Sequence, residues 1–335
     1  MKIKQPKQKP KTEREKVEER REEVLAKGRK FKYPLQYTKH KLVINTILVA
    51  VVAVVAMVVA GWLALYQFQS TGEMMYRVTQ VLPVPVAEVD GAKVRYSDYL
   101  MIYRSNLQTS EQQSGQLGNT EDDDLVRAEY KRTALGAAVE YTYAMKLGKE
   151  LGLSVAEEEI DQAFDEHRKV GGVERSEEAF LKIVQDNFGM NRREYRRMLE
   201  LTLMKAKVEQ EIDETAQAVA AEVGTMLNEN GGDMAAVAES LGEQVEYEAT
   251  GQLVDNMNVD GGRSNKAMTL EPGQVSERFL SNNGDGYYFV KLVEKTETQV
   301  NYESIKVKFT TFAERVAQLY EEGKVKELIE VGLME

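Results

Sequence analysis

The feature that most constrains this chain of 335 residues is an unbroken apolar stretch near its N-terminus. From Leu42 to Tyr66 the side chains are mostly Val, Ile, Leu and Ala, and no charged residue lies between Lys41 and Glu73. A helix needs roughly 20 apolar residues to cross the hydrocarbon core of a bilayer. A buried core helix is the alternative, but the length of the stretch and its lack of a polar face favour a membrane span. The stretch therefore predicts one transmembrane helix, residues 42–66.

A cleaved signal peptide is the alternative interpretation of this stretch. The apolar region of a signal peptide usually spans only about 7–15 residues after a short basic segment. Here the apolar run is longer, follows 41 residues and lacks a convincing small-x-small cleavage site. An uncleaved signal anchor is therefore favoured.

The charge distribution predicts the orientation of the anchor. Residues 1–41 carry 15 Lys and Arg against 6 Glu, a formal charge of +9, whereas residues 42–335 carry −20. Because basic flanks stay in the cytoplasm, the tail 1–41 should be cytoplasmic and the rest extracytoplasmic. The tail mixes both signs of charge with few aromatic residues, which favours a topology signal that attracts lipid headgroups over nucleic-acid binding. We expect a single-pass protein of the cell membrane.

The residue counts exclude several kinds of site. The chain has no Cys and two His, His40 and His167, so disulfides and thiolate zinc sites are excluded and little remains for a metal centre or a catalytic triad. The run from Asn256 to Gly261 imitates half of a calcium-binding loop, but Ala267 stands where the loop needs Glu. An Asx/Gly turn is expected there, and the sequence predicts no metal and no cofactor.

The first part of the outer chain contains a linker, a hairpin and a loop. Residues 67–85 contain Pro83 and Pro85 and are expected to form an extended spacer. Asp90-Gly91 between two apolar runs predicts a tight β-hairpin, and Ser97 would cap the helix that follows. Residues 105–120 are polar and low in complexity, which predicts a mobile loop.

A block of helices should follow this loop. One is predicted over about 125–151, and others begin at the capping box Ser154/Glu157, at Ser176, and at Asn191 with Glu194. The last of these helices is apolar on two faces. Such a helix lies between two partners or leaves one stripe free for a ligand.

The pattern changes at Thr215. Short helices, one capped by Asp233, alternate with strands such as GYYFVKLVE from Gly286, which predicts a small α+β domain. Residues 299–335 predict a strand, a helix and a short end. The fold class is therefore α+β, with one transmembrane helix, a helical domain and a smaller α+β domain.

Two segments carry a resemblance to a known family. VAEVDGAKVRYSDYLMIYR from Val86, and LGLSVAEEEIDQAF from Leu151 with its continuation FLKIVQDNFGMNRREYRRMLELTLMKAKV, resemble the SurA/PrsA/PpiD group of extracytoplasmic folding factors. The resemblance implies a SurA-N-like helical chaperone domain over residues 86–213. The PpiD type is also a single-span anchor with its N-terminus inside.

The next segment resembles a parvulin-type prolyl isomerase domain. The residues are GDMAAVAESLG and LEPGQVSERFLSNNGDGYYFVKLVEK. The resemblance implies a parvulin-like domain over 214–296, and a segment 297–335 that packs on the helical domain. That family expects a His in its first strand and a final Gly-Tyr-His, but here the motif reads Gly286-Tyr287-Tyr288. With Tyr288 in place of the histidine, we expect a degenerate, scaffold-like domain without catalytic residues.

The leading functional prediction is a membrane-anchored chaperone or foldase that binds unfolded, newly exported polypeptides at the secretion translocon. Two alternatives stay open: an active peptidyl-prolyl isomerase, and a non-enzymatic bitopic subunit that tethers an envelope or secretion complex. Adaptable Tyr and Met surfaces suit weak binding of varied chains. The candidate client contacts, each of which could equally be a core residue, are Tyr99, Tyr103, Tyr141, Met145, Phe164, Phe180, Tyr195 and Met198.

Overall fold

The structure is a computed structural model that divides between Phe68 and Gln69 into two compact units. It describes residues 12–32, 34–115, 117–118, 120–170, 173–256, 258, 260–282 and 284–331.

The first unit consists of helices. Helix α1 spans Glu13–Lys32, and α2 spans Pro34–Trp62 and continues as a π-helical turn, Leu63–Gln67. The stretch Lys41–Gln67 is long and apolar enough to cross a membrane, and no residue of its apolar 18-residue window is buried. The hydroxyl of Thr46 donates to the carbonyl of Leu42 at 2.9 Å, so its polar group is satisfied within the helix. The helix predicted over 42–66 is confirmed.

The second unit begins with a helix where an extended spacer was predicted. Helix α3 spans Glu73–Val81. Tyr76 and Thr79 on its inner face are buried, and the hydroxyl of Tyr76 donates to Glu194 at 2.8 Å. The spacer prediction for residues 67–85 is therefore wrong, because these contacts with distant residues stabilise a short helix that its own sequence does not mark.

The predicted hairpin is confirmed. Strands β1 (Pro85–Val89) and β2 (Ala92–Arg95) pair antiparallel, and Asp90 and Gly91 both have positive φ, as a tight turn between twisted strands requires. Helix α4 (Tyr96–Ser114) begins directly after β2. The predicted cap Ser97 is wrong, since this residue lies buried inside the first turn.

Helix α4 also occupies most of the predicted mobile loop, so that prediction is wrong for residues 105–114. Two polar side chains explain the helix. Gln108 Nε2 donates to the carbonyl of Asp186 at 2.9 Å, and the hydroxyl of Thr109 lies 3.1 Å from the carbonyl of Asn187. These carbonyls end another helix, so the polar residues of α4 satisfy groups that would otherwise lack partners.

Four further helices complete the helical part: α5 (Glu121–Glu150), α6 (Glu157–Arg168), α7 (Glu177–Phe188) and α8 (Arg192–Ile212). A short hairpin, β3 (Lys169–Val170) with β4 (Val173–Glu174), joins α6 to α7. The helix over 125–151, the cap Ser176, and the capping box of Asn191 and Glu194 are confirmed.

The capping box predicted at Ser154 and Glu157 is wrong. The backbone N–H that is capped belongs to Ala156, and it donates to the Glu159 carboxylate at 2.8 Å. The carbonyl of Ser154 accepts from Lys207 Nζ at 2.8 Å instead. The acidic run of this segment makes several registers of the box equally good locally, and packing against α8 selects one of them.

Helix α8 lies between several partners, as its two apolar faces predict. It contacts α5, α6 and the later helix α12 (Thr311–Glu321). Leu199, Leu201, Met204 and Val208 are buried along it. Its apolar residues are therefore mostly used in packing, which leaves no free stripe along most of its length.

The α+β part follows α8 directly, and its described residues include three α-helices and a five-stranded sheet. The helices are α9 (Glu214–Glu229), α10 (Met234–Leu241) and α11 (Arg263–Met268). The strands are β5 (Glu246–Ala249), β6 (Val254–Asp255), β7 (Phe279–Leu280), β8 (Gly286–Lys295) and β9 (Gln299–Lys308).

All pairings in this sheet are antiparallel, in the order β5-β9-β8-β7, with β6 also pairing β9. Alternation along β8 and β9 sends odd-numbered side chains such as Phe289 and Ile305 into a core with α9 and α10. Even-numbered side chains such as Leu292 and Tyr302 pack with α11. The sheet is thus covered on both faces.

Strand β9 corrects the domain boundary drawn at 296/297, because it is an inner strand of the sheet and pairs with β8. Only Asp213 separates α8 from α9, so the sheet of the α+β part begins after α10 with β5, and β9 reaches it from the C-terminal side.

The C-terminal segment returns to the helical part. Strand β10 (Val325–Glu327) pairs antiparallel with β1 and completes the sheet β10-β1-β2. Arg132 on α5 pairs with Glu327 at 3.1 Å and donates to the carbonyl of Val331 at 2.8 Å. The C-terminal segment thus contacts the helical part through the pairing of β10 with β1 and through Arg132.

Asp213 joins the two connections of the α+β part. Its buried carboxylate accepts from the backbone N–H groups of Ala216 at 2.9 Å, Thr310 at 2.8 Å and Thr311 at 3.1 Å. Burial opposes its ionisation, but the three N–H groups outweigh burial and hold the pKa of Asp213 below its ordinary value.

We predict that Asp213→Asn lowers the free energy of unfolding by about 2–3 kcal/mol at neutral pH, because buried N–H groups lose a charged acceptor. The pKa of Asp213 is lower in the folded state than in the unfolded chain, so the stabilisation is complete at pH values above the unfolded pKa. It should shrink as the pH falls below about 4. Urea unfolding at several pH values measures both effects. Asp233→Asn, an exposed cap of one N–H group on α10, is the control and should cost about 1 kcal/mol or less. Equal losses in the two variants would contradict the argument.

Candidate functional site

Tyr288 lies on the sheet face that α11 covers. It is only 4% exposed, and its ring stacks on Phe279 of β7 with centroids 6.0 Å apart. Two cations lie over the ring: Arg263 Cζ is 5.2 Å and Lys306 Nζ 5.7 Å from its centre. Burial raises the pKa of Tyr288, so the phenol stays neutral at physiological pH.

Asp260 organises the other end of this face. Its carboxylate accepts from the Tyr302 hydroxyl at 2.7 Å and from the Ser264 hydroxyl at 2.5 Å, and the Ser264 backbone N–H donates to it at 3.0 Å. Burial, together with the carboxylate, raises the pKa of Tyr302, which keeps its hydroxyl a donor. The stretch that imitates a calcium loop thus uses Asp260 to begin α11.

The charges on this face are paired. Arg263 forms an ion pair with Glu248 and donates to the Asp260 carbonyl at 2.8 Å, and Lys306 forms an ion pair with Asp285. The position that the resemblance gives to an isomerase histidine is therefore filled by the chain's own side chains. Among the described residues, no group of three His, Asp or Glu side chains is placed to hold a metal ion.

An open cleft of about 410 Å³ lies beside this filled face, between the end of α6 and α11. Phe279 is half-buried in its wall, with Lys266 Nζ 5.8 Å from the ring centre, and Asn265 and Thr269 are exposed along it. An aromatic surface with amides and hydroxyls around it suits an extended polypeptide, whose backbone needs hydrogen-bond partners. The lining residues are Glu166, His167, Lys169, Gly262, Asn265, Lys266, Thr269, Phe279 and Asn282.

The cleft is supported from behind by an aromatic cluster. His167 Nδ1 lies 2.7 Å from the Tyr195 hydroxyl. The Tyr195 ring packs edge-on against Phe164 and Phe180, at centroid distances of 6.0 and 5.5 Å. Edge-to-face packing of this kind stabilises one relative placement of the rings, so α6, α7 and α8 give the cleft a fixed wall.

A second groove, of about 660 Å³, runs between α6 and the start of α8. It is strongly charged but internally neutralised. Arg196 pairs with Glu157 at 2.7 Å and also with Asp161, and Arg197 pairs with Asp98 at 2.8 Å. A ligand here would have to replace these ion pairs, which makes this groove a poorer binding site than the first cleft.

The structure separates the eight sequence-predicted client contacts into two groups. Four are core residues, at most 6% exposed, so their predicted place on a binding surface is corrected: Tyr99, Tyr103, Phe164 and Phe180. Tyr99 and Tyr103 stack on each other within α4, with centroids 6.4 Å apart, and Phe164 of α6 packs edge-on against Phe180 of α7 at 5.3 Å. The other four are half-buried and reach the surface: Tyr141, Met145, Tyr195 and Met198.

Sequence reasoning missed the cleft itself. Asn265, Lys266 and Phe279 carry no local signal, because their wall exists only when α11 and β7 meet the end of α6. Its one sequence-predicted neighbour is Tyr195, which reaches the cleft through His167.

The fold and these sites define a mostly helical α+β protein with one apolar N-terminal helix. A family model described as a SurA-like N-terminal domain matches residues 35–209, more than half of the chain. The chain therefore belongs to the family of proteins with a SurA-like N-terminal domain. No curated protein and no solved structure matched it.

Glu209 is a half-buried acid near the point where α8 meets the sheet. Its side chain is 12% exposed and lies 3.6 Å from Lys205. Burial raises the pKa of Glu209 to about 7. Lys205 acts in the opposite direction, and the nearby carboxylates of Glu140 and Asp285 offset part of its effect. The turn at Gly284 is close, since a Cβ there would lie 4.0 Å from the Glu209 carboxylate.

We predict that Glu209→Gln flattens the pH dependence of stability. Between the ordinary pKa of 4.5 and about 7 the folded state holds the proton more tightly, so the wild-type free energy of unfolding falls as the pH rises through this range. The variant should gain on the order of 2 kcal/mol relative to wild type between pH 5 and pH 8. Chemical unfolding across this range measures it. The exposed Glu211→Gln is the control, and an equal gain there would contradict the assignment.

Proposed function

We propose that the protein is a membrane-anchored extracytoplasmic chaperone that binds newly exported, unfolded polypeptides. The observation that carries the proposal is the SurA-like N-terminal domain, since this family comprises folding factors of the periplasm. The open cleft between α6 and α11 supports it, because a half-buried ring beside exposed amides suits varied chains.

The proposed anchor is the apolar helix Lys41–Gln67, retained as an uncleaved signal anchor. The basic tail before it and the acidic body after it support an N-terminus in the cytoplasm and a body outside. A chaperone in this position would meet chains as they leave the secretion translocon, which we propose as its neighbour. No nucleic acid and no cofactor enter the proposal.

The clients are proposed to lie in the cleft, with the half-buried Tyr195 supporting its wall. Phe279 offers an apolar contact, and the exposed Asn265 and Thr269 offer hydrogen bonds to a peptide backbone. Few strong, specific contacts line this wall, so binding would be weak and tolerant of sequence. This is the behaviour that a folding factor needs, because it must release its client.

We predict that the full chain in lipid nanodiscs suppresses the aggregation of an unrelated unfolded protein, measured by light scattering. Thr269→Arg should weaken this suppression severalfold, because a long cation then occupies the cleft wall. Thr225→Arg on α9 is the control. Thr225 is exposed and donates its hydroxyl to a helix carbonyl, as does Thr269, which directly follows α11.

The outcomes separate the proposal from its rival. No suppression by the wild-type chain would refute the chaperone function and favour a bitopic subunit that only tethers a partner complex. Suppression that both Thr variants reduce equally would place the client outside the cleft.

We also predict that the chain does not accelerate a proline-limited refolding reaction. Isomerase catalysis needs an open pocket that stabilises a twisted imide, whereas Tyr288 is covered by Phe279, Arg263 and Lys306. Refolding kinetics of a model substrate, with and without the full chain, measure this. Acceleration that disappears in Tyr288→Ala would show that the domain is an active isomerase.

A further inference from the structure

Helix α3 exposes an apolar face that nothing in the described part of its unit covers. Met74 and Val81 are 74% and 81% exposed, and Leu82 follows directly. Positions 74 and 81 lie on one side of a helix, together with Arg77. The opposite side, with Tyr76 and Thr79, is buried against the helical part. We call Met74, Arg77, Val81 and Leu82 the α3 face.

Only a short segment of chain joins the α3 face to the apolar helix. That helix ends at Gln67, and Gln69 already belongs to the second unit, where its side-chain amide donates to the carbonyl of Glu330 at 2.6 Å. Two residues span at most about 7 Å, and the six residue steps from Gln67 to Glu73 at most about 22 Å. If the apolar helix crosses a bilayer, the second unit, which begins at Gln69, must therefore lie close to the bilayer surface.

The charges around the α3 face suit a phospholipid surface. The Arg77 side chain is 75% exposed, and Arg104 is also close, so two guanidinium groups meet the single carboxylate of Glu73. This local excess of positive charge stands out in a body whose formal charge is strongly negative. Anionic headgroups attract such cations, while apolar residues of an interfacial helix enter the headgroup boundary by about 5–10 Å.

We propose that the α3 face lies in the headgroup region of the same bilayer that Lys41–Gln67 crosses. The segment after the membrane helix is then a second membrane contact and not a spacer that lifts the body away. Two attachments, one spanning and one interfacial, restrict how the body can rotate over the membrane. The inference rests on the proposed anchor and adds to it a docking surface of the body.

Tryptophan fluorescence tests the contact, because Trp62 is the single Trp of the chain. The full chain is reconstituted into phosphatidylcholine–phosphatidylglycerol vesicles with acyl-chain-brominated phosphatidylcholine as quencher. Wild-type Trp62 reports insertion of the anchor. In a Trp62→Phe background, Val81→Trp and Met74→Trp report the α3 face, and Lys182→Trp is the control on the exposed side of α7.

We expect Val81→Trp and Met74→Trp to be blue-shifted and quenched severalfold more strongly than Lys182→Trp. Arg77→Glu should reduce that quenching in anionic vesicles. All of these positions are exposed, so the substitutions do not disturb the core.

Three results would overturn the inference. If Trp62 is quenched but Val81→Trp behaves like Lys182→Trp, the anchor stands and the α3 face is not docked on lipid. If Trp62 is not quenched, the proposed anchor itself fails. If Val81→Trp is blue-shifted without quenching, and the shift grows with the protein-to-lipid ratio, a second copy of the chain covers the face.

Discussion

The pairing of β10 with β1 is the contact on which the arrangement of the second unit depends. Backbone hydrogen bonds extend the pairing at both ends, from Asp90 N–H to the Lys324 carbonyl at 2.9 Å and from Leu328 N–H to the Val86 carbonyl at 3.0 Å. Arg132 reinforces it from α5. Both ends of the unit thus build one helical part, and the α+β part is inserted between α8 and α12.

An inserted part is held most firmly when its two connections meet. Here Asp213 stands at the first connection and accepts N–H groups from the second, at Thr310 and Thr311. Just before Asp213, α8 runs beside the Gly284 turn, where an added Cβ would lie 3.0 Å from Ala206. The cleft between α6 and α11 is therefore set by the path of α8. Because α8 packs on both the helical part and the α+β part, it fixes the position of α6 relative to α11.

The sequence predicts what is determined locally. Helices with their own caps, such as those begun by Ser176 and Asn191, and the hairpin at Asp90-Gly91 follow from short-range hydrogen bonding, so pattern and spacing suffice. Helix α3 and the polar half of α4 do not, because Glu194 and the carbonyls of Asp186 and Asn187, far along the chain, satisfy their polar groups.

The same distinction explains the sites. Tyr288 was identified by its motif, but only the fold shows that two cations and Phe279 close around it. Four aromatic residues chosen for a binding surface are core, since an apolar stripe on a helix does not reveal whether a neighbour covers it. The cleft needs α11 and α6 together, and no short motif encodes such a meeting.

A weak cleft would be sufficient for the function proposed here, that of a chaperone held at a membrane. Holding a binding site near the point where its ligand appears raises the local concentration of that ligand, so weak affinities already produce occupancy. The charges around Tyr288 and in the groove between α6 and α8 are paired. They would make tight binding costly, because a ligand must displace good ion pairs. A client that contacts the exposed amide of Asn265 and the half-buried ring of Phe279 displaces no ion pair. Proximity would thus provide what the cleft lacks in affinity, and release of the client would stay fast.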